Sequence, residues 1–223
     1  MHLYGYIRIG TLHDFRRTEH AKGISDPKEG KKSISHSIDK LEVNHANRET
    51  QQSNPDLLAL EKLGIARIEK VGSFVMMGVT VQSDIDSHDC FIYCLSHQYS
   101  ADMYSLFGDT DTCLEITDSD NFFACITDEL KKIHPINFSG VSKVSYQKRN
   151  GKWNGSDLGS DPILIKEDIP RYRDQKELRV VWKTPPGIHI GVEFIICKDL
   201  YKYFKVHSKK IGFYNSPRIK PTT

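Results

Sequence analysis

The chain has 223 residues, with 31 Lys plus Arg against 29 Asp plus Glu and a formal charge of +2 at neutral pH. So even a balance gives no global field for a nucleic acid or an anionic membrane. No run approaches the ~20 apolar residues of a spanning helix. With 38% hydrophobic and 27% charged residues, this length suits one domain, 1–223, with a real core.

Met1-His2-Leu3-Tyr4-Gly5-Tyr6 lacks the basic-then-apolar organisation of a signal peptide. The five cysteines are an odd number set mostly in apolar runs, which predicts reduced thiols and a cytoplasmic location.

In chain order, Leu3 to Leu12 reads as a strand with Tyr4, Tyr6 and Arg8 on one face and Gly10 near its end. Residues 13–37 are charged, with an Asp26-Pro27 turn signal. The stretch 38–55 is rich in Asn, Gln, His and Glu, so 31–55 is the candidate polar insertion or mobile loop. Pro55-Asp56 starts a short helix carrying Leu57, Leu58, Leu60 and Leu63, which Gly64 closes. Ile65–Val71 and Phe74–Val81 read as a hairpin around Gly72-Ser73.

Residues 90–96 form an apolar strand that delivers Ser96-His97 to its end. A helix capped by Ser100 follows, with Met103, Tyr104, Leu106 and Phe107 inward and Gly108 as its stop. Thr112–Thr117 is a strand, and Asp118 or Ser119 caps a helix through Ile133. Val141–Gln147 alternates, and Asn150-Gly151 offers a tight turn leading to Trp153. Ile163–Lys166 is a short apolar piece. Glu177–Trp182 and Ile188–Cys197 are strands joined by Pro185-Pro186-Gly187, and Asp199 caps a last short helix with Tyr201, Tyr203 and Phe204. Strands outnumber helices without regular alternation. The expected fold is α+β, with mixed, mainly antiparallel strands and a few short helices.

Few motifs carry chemistry. His88, Cys90, Cys94 and His97 are metal-ligand types, but in an extended strand 88, 90 and 94 share a face that 97 leaves, so no metal site is expected. Cys94 lies mid-strand among large apolar residues, an environment that disfavours a thiolate. Neither phosphate-binding glycine motifs nor a Gly-x-Ser-x-Gly elbow is present. Gln175, Glu177 and Arg179 project to one face of a strand. Glu177 is then either a carboxylate at a cleft edge or the partner of Arg179. Arg8 poses the same choice, between an anionic ligand and a carboxylate such as Glu19, Asp26 or Glu29.

Two resemblances follow from these residues. The opening Tyr6-Ile-Arg8-Ile-Gly10-Thr-Leu12-His-Asp-Phe15-Arg16, with Glu19, Asp26-Pro27 and Glu29-Gly30, resembles uncharacterised bacterial proteins of unknown function. So do Cys94-Leu95-Ser96, Met103-Tyr104, Gly108 and Cys113-Leu-Glu115-Ile. The order Arg8, Ser96, Gln175-x-Glu177 resembles the Arg–Ser–Glu plan of toxin-like ADP-ribosyltransferases, although the family's Ser-Thr-Ser is here Ser96-His97-Gln98. The strands on either side of Pro185-Pro186-Gly187 resemble that family's final hairpin.

The second resemblance implies a split sheet and NAD as substrate, turned over on a protein or nucleic-acid acceptor or on water. Glu177 would be the catalytic carboxylate that stabilises an oxocarbenium ion, and Gln175 would orient the acceptor. Arg8, Ser96, His97 and Tyr6 would bind the cofactor. In this reading Glu177→Gln removes turnover with the fold intact. Two alternatives compete with it. One is a non-enzymatic binding or defence-associated module with Arg8, Glu19, Asp26, Glu29, Glu177 and Arg179 in a structural ion network. The other is a nucleic-acid-acting protein using Arg171, Arg173, Tyr172 and Trp153.

Overall fold

Alternating burial along short apolar strands sets the frame. The computed structural model describes residues 5–17, 25–44, 53–67, 73–100, 103–107 and 110–208. In chain order these form β1 (Tyr6–Thr11), β2 (Lys31–Val43), α1 (Pro55–Lys62), β3 (Phe74–Asp86), β4 (Cys90–Ser96), α2 (Met103–Leu106), β5 (Thr112–Ile116) and α3 (Ser119–Lys131). There follow β6 (Asn137–Lys143), β7 (Ser145–Tyr146), β8 (Asn150–Lys152), β9 (Ile165–Lys166), α4 (Pro170–Arg173), β10 (Glu177–Lys183), β11 (Glu193–Ile196) and β12 (Phe204–Ser208). The fold is α+β with mainly antiparallel sheets. No helix among the described residues is long and apolar enough to cross a membrane.

Where the sequence suggested one domain with a polar insertion, the chain gathers into two compact units. The first holds residues 1–27, 88–144 and 169–223, and the second holds 28–87 and 145–168.

The first unit is built on a five-stranded sheet in the order β11-β1-β4-β10-β6, with a separate β12-β5 ribbon. Ile7, Ile9, Phe91, Val180 and Trp182 share one sheet face and pack with Phe122, Phe123, Ile126 and Leu130 of α3. Those four helix residues fall at helical spacing and so form one apolar stripe. The Trp182 indole N–H donates to Thr127 Oγ1 at 2.7 Å, so the polar edge of the ring is satisfied in the core.

Asp118 caps α3, accepting the Asn121 backbone N–H at 3.1 Å. Bonds from the Asn121 side chain and then its backbone hold this carboxyl below its ordinary value. The stabilisation is therefore fully present above the ordinary carboxyl value and is lost as pH falls from there through the depressed one. Asp118→Ala should lower the melting temperature by a few degrees at neutral pH, and the difference from wild type should shrink in acid. Thermal unfolding at two pH values checks this.

The second unit carries the sheet β3-β2-β8. Ile34, Ile38, Leu41 and Val43 pack with Leu57, Leu60 and Leu63 of α1. Asn54 caps that helix, accepting from the N–H groups of Asp56 (2.8 Å) and Leu57 (3.4 Å).

Several expectations change. Residues 31–43, expected in a loop, form a 13-residue strand paired with β3 along its length, and residues 45–52 lie outside the described residues. Ile65 and Ala66 return their N–H groups to the Leu60 carbonyl, closing α1 and starting no hairpin; 68–72 lie outside the described residues. Asn150-Gly151 is not a tight turn but the start of β8, parallel to β2. Phe204 opens a strand and ends the helical turn at Leu200–Tyr203.

The final hairpin is absent as well. β11 pairs with β1, two strands away from β10, so Pro185-Pro186-Gly187 belongs to a crossing connection. The edge that a hairpin partner would need on β10 is already taken by β6.

Candidate functional site

Directly opposed residues of antiparallel strands share a face. Glu177 faces Ser96, Arg179 faces Cys94 and Val181 faces Ile92, while Gly10 faces the same Ile92. Arg8 and Tyr6 lie two and four residues from Gly10 and so stand on this side too. Arg8, Ser96 and Glu177 therefore occupy one face of three consecutive strands, the face turned away from α3.

Their local partners differ from those of an open cleft. Arg8 Nη2 donates to Asp14 Oδ2 at 2.5 Å, and Arg17 lies 3.7 Å from the same carboxylate. Asp14, not Glu19, Asp26 or Glu29, is thus the partner of Arg8, and Glu19 lies outside the described residues. Glu177 is 4% exposed, and Arg179 Nε donates to its Oε1 at 2.7 Å from a side chain that is 1% exposed. Gln175 is buried. Between them Lys176 takes the left-handed conformation at φ 48°, a strained choice for a long side chain. Its carbonyl accepts the His97 N–H at 3.0 Å, which ties the start of β10 to the end of β4. Tyr6 is half-exposed opposite Ile196.

Ser96 closes the turn after β4. Its hydroxyl donates to the Gln98 carbonyl at 2.8 Å and accepts the Gln98 N–H at 3.3 Å. Ser96 and His97 line a cavity of about 630 Å³ between the end of β4, α2, the β5–β12 ribbon and the first turn of α3. Tyr6, Arg8, Gln175 and Glu177 do not line it. The predicted residues thus divide three ways, with Ser96 and His97 at the pocket, Gln175 and Glu177 buried, and Tyr6 and Arg8 exposed.

Tyr93, Phe122 and Phe123 form an aromatic floor with ring centroids 5.2–6.2 Å apart. Tyr99, 60% exposed, stands at the rim, edge-on to Tyr104 and 6.2 Å from the His207 ring. Burial, and then the nearby Cys94, push the Tyr93 hydroxyl up to about 12, so the floor stays uncharged.

One wall carries Cys113, Glu115 and His207. Cys113 faces His207 across the ribbon, and His207 Nε2 lies 2.8 Å from Glu115 Oε2. Thiol, imidazole and carboxylate in this order resemble a nucleophile with an oriented base. The thiol itself decides against that chemistry, because burial and then the Glu115 charge push Cys113 up, away from the thiolate. The wall is therefore suited to hydrogen bonding, with Glu115 fixing the imidazole.

Sequence reading gave no site role to Tyr99, Cys113, Glu115 or His207. The alternation Phe204-x-Val206-x-Ser208 carried the signal for β12, but the pairing that sets His207 opposite Cys113 has no local signal. Among the described residues no group of three His, Cys, Asp or Glu could hold a metal ion. No family model, no curated protein and no solved structure matches the chain.

Proposed function

We propose that the chain is a binding module for a planar heteroaromatic ligand, with the nicotinamide or adenine ring of NAD as the first candidates. The observation that carries this reading is the aromatic-floored cavity of about 630 Å³, with the Glu115–His207 pair on its wall. Its size and its apolar lining with a few convergent polar groups suit a small molecule. Flat rings stack well on such a floor. Ser96, Gln98 and His97 at the rim supply donors and acceptors for a carboxamide or an amine. The five cysteines are free thiols, which supports a reducing cytoplasmic location.

The test is titration with NAD, nicotinamide and adenosine, followed by tyrosine fluorescence and thermal shift. At least one ligand should saturate and raise the melting temperature. Tyr99→Ala, at an exposed position, should weaken that binding at least ten-fold and leave the unliganded melting temperature unchanged. Absence of saturation by all three at millimolar concentration would sink the reading.

A second reading, NAD turnover by ADP-ribosyl transfer or hydrolysis, is favoured by the placement of Glu177 opposite Ser96 with Arg8 on the same face. Here Glu177 would stabilise the oxocarbenium ion and Gln175 would orient a protein, nucleic-acid or water acceptor. Arg8 would exchange Asp14 for the diphosphate. It ranks second because Glu177 is buried and held by Arg179. The measurement is nicotinamide release. Turnover by wild type that vanishes in Glu177→Gln supports Glu177-dependent cleavage; no release leaves binding alone, and equal release sinks the role of Glu177.

A further inference from the structure

We infer that the second unit holds a separate binding site for a compact phosphate group, between β2, β8 and the loop 154–160. β8 lies parallel to β2, with Ser33 beside Asn150 and Ser35 beside Lys152. A cavity of about 160 Å³ opens there, lined by Lys32, Lys148, Arg149 and Lys152, with Asp157 as its single carboxylate. Four cations in so small a lining contrast with a whole-chain charge of only +2. The volume admits a phosphate group but falls below that of pockets for whole drug-sized molecules.

The two cations at the base of this cavity are buried, Lys32 at 8% and Arg149 at 4% exposure. Burying charge is costly without compensation. Lys32 Nζ donates to the carbonyls of Leu158 and Ser160, both at 2.5 Å, and Arg149 Nη1 donates to the Lys31 carbonyl at 3.1 Å. Carbonyl dipoles orient these groups, and the charges of Asp161 and then Asp157 act on Lys32. Arg149 Nε also lies 4.0 Å from Glu167, which stands outside the lining.

Asp157 is turned to the loop itself. Its Oδ1 accepts the Gly159 N–H at 2.7 Å and the Asn154 side-chain amide at 3.0 Å. Asn154 Oδ1 in turn accepts the N–H groups of Ser156 and Asp157. The loop is thus shaped by its own polar groups, and at Gly151 and Gly159 no side chain fills the space beside it. Lys148 and Lys152 are exposed and can close over a bound anion.

The experiment titrates the full chain with inorganic phosphate and, separately, ribose 5-phosphate, read by calorimetry and phosphorus NMR. Saturable binding is expected for at least one. It should weaken at least ten-fold in the double variant K148A/K152A, whose melting temperature should match wild type, and should weaken with added sodium chloride. Tighter binding of inorganic phosphate identifies the free ion as the ligand, and tighter binding of the ester identifies a phosphorylated metabolite; either order supports the site. Failure of both to saturate at tens of millimolar, or a double variant that binds like wild type, overturns it.

Discussion

Arg179→Ala should cost about 3–5 kcal/mol and lower the melting temperature by on the order of 10 °C, measured by denaturant and thermal unfolding. The side chain is 1% exposed in the middle of the central sheet, and its Nε–H meets Glu177 Oε1 at 2.7 Å. Truncation leaves a buried carboxylate beside a cavity, and both defects act in the same direction. Glu177→Gln is milder, on the order of 1–3 kcal/mol, because the amide oxygen still accepts the Arg179 bond. The contrast separates the two roles of Glu177. If Arg179→Ala changed stability by less than about 1 kcal/mol, the buried pair would not be holding the sheet face together.

Trp182→Ala should cost a similar ~3–5 kcal/mol. The ring is fully buried, lies 5.9 Å from Phe138 and donates to Thr127 Oγ1. Its loss opens a large void under α3 and removes the donor to Thr127 Oγ1, whose hydroxyl still donates to the Phe123 carbonyl at 2.7 Å. Trp182→Phe keeps most of the packing and isolates the hydrogen bond, for about 1–2 kcal/mol. The same variant has a second use. The chain has two tryptophans, and Trp153 lies in the second unit, so Trp182→Phe leaves tryptophan fluorescence that reports on that unit alone. Equal costs for Phe and Ala would refute the packing account.

The apolar strands were legible because packing writes itself into consecutive residues. Cys90–Ser96 and Glu177–Lys183 are central in their sheet, and their cores read as strands directly. α3 announced itself through Asp118 and the Phe122–Leu130 stripe. β2 did not, for a physical reason. Its buried positions are even-numbered through Ile38 and odd-numbered at Leu41 and Val43. The phase changes where pairing skips Asp39, opposite Gly78 at φ +61°. A period-two reading loses such a strand halfway. Pairing order was equally hidden, because the same residues would fit β11 beside β10 or beside β1. At the site, Ser96 and His97 were readable as the end of a strand. Cys113, Glu115 and His207 meet only through the register of two strands about 90 residues apart, which no local pattern encodes.

The discontinuous make-up of the two units has a consequence for synthesis. The last residue of the second unit is Asp168, whereas the first unit still lacks β10, β11 and β12 at that point. Until β10 emerges, β4 has only the two residue pairs with β1 to hold it on either side, and β6 has no partner in its sheet. A ribosome therefore delivers the inserted unit complete while the sheet that opened the chain still waits for its central strand. Released chains that end at Asp168 should present exposed strand edges to chaperones, and released chains that end at Ser208 should not.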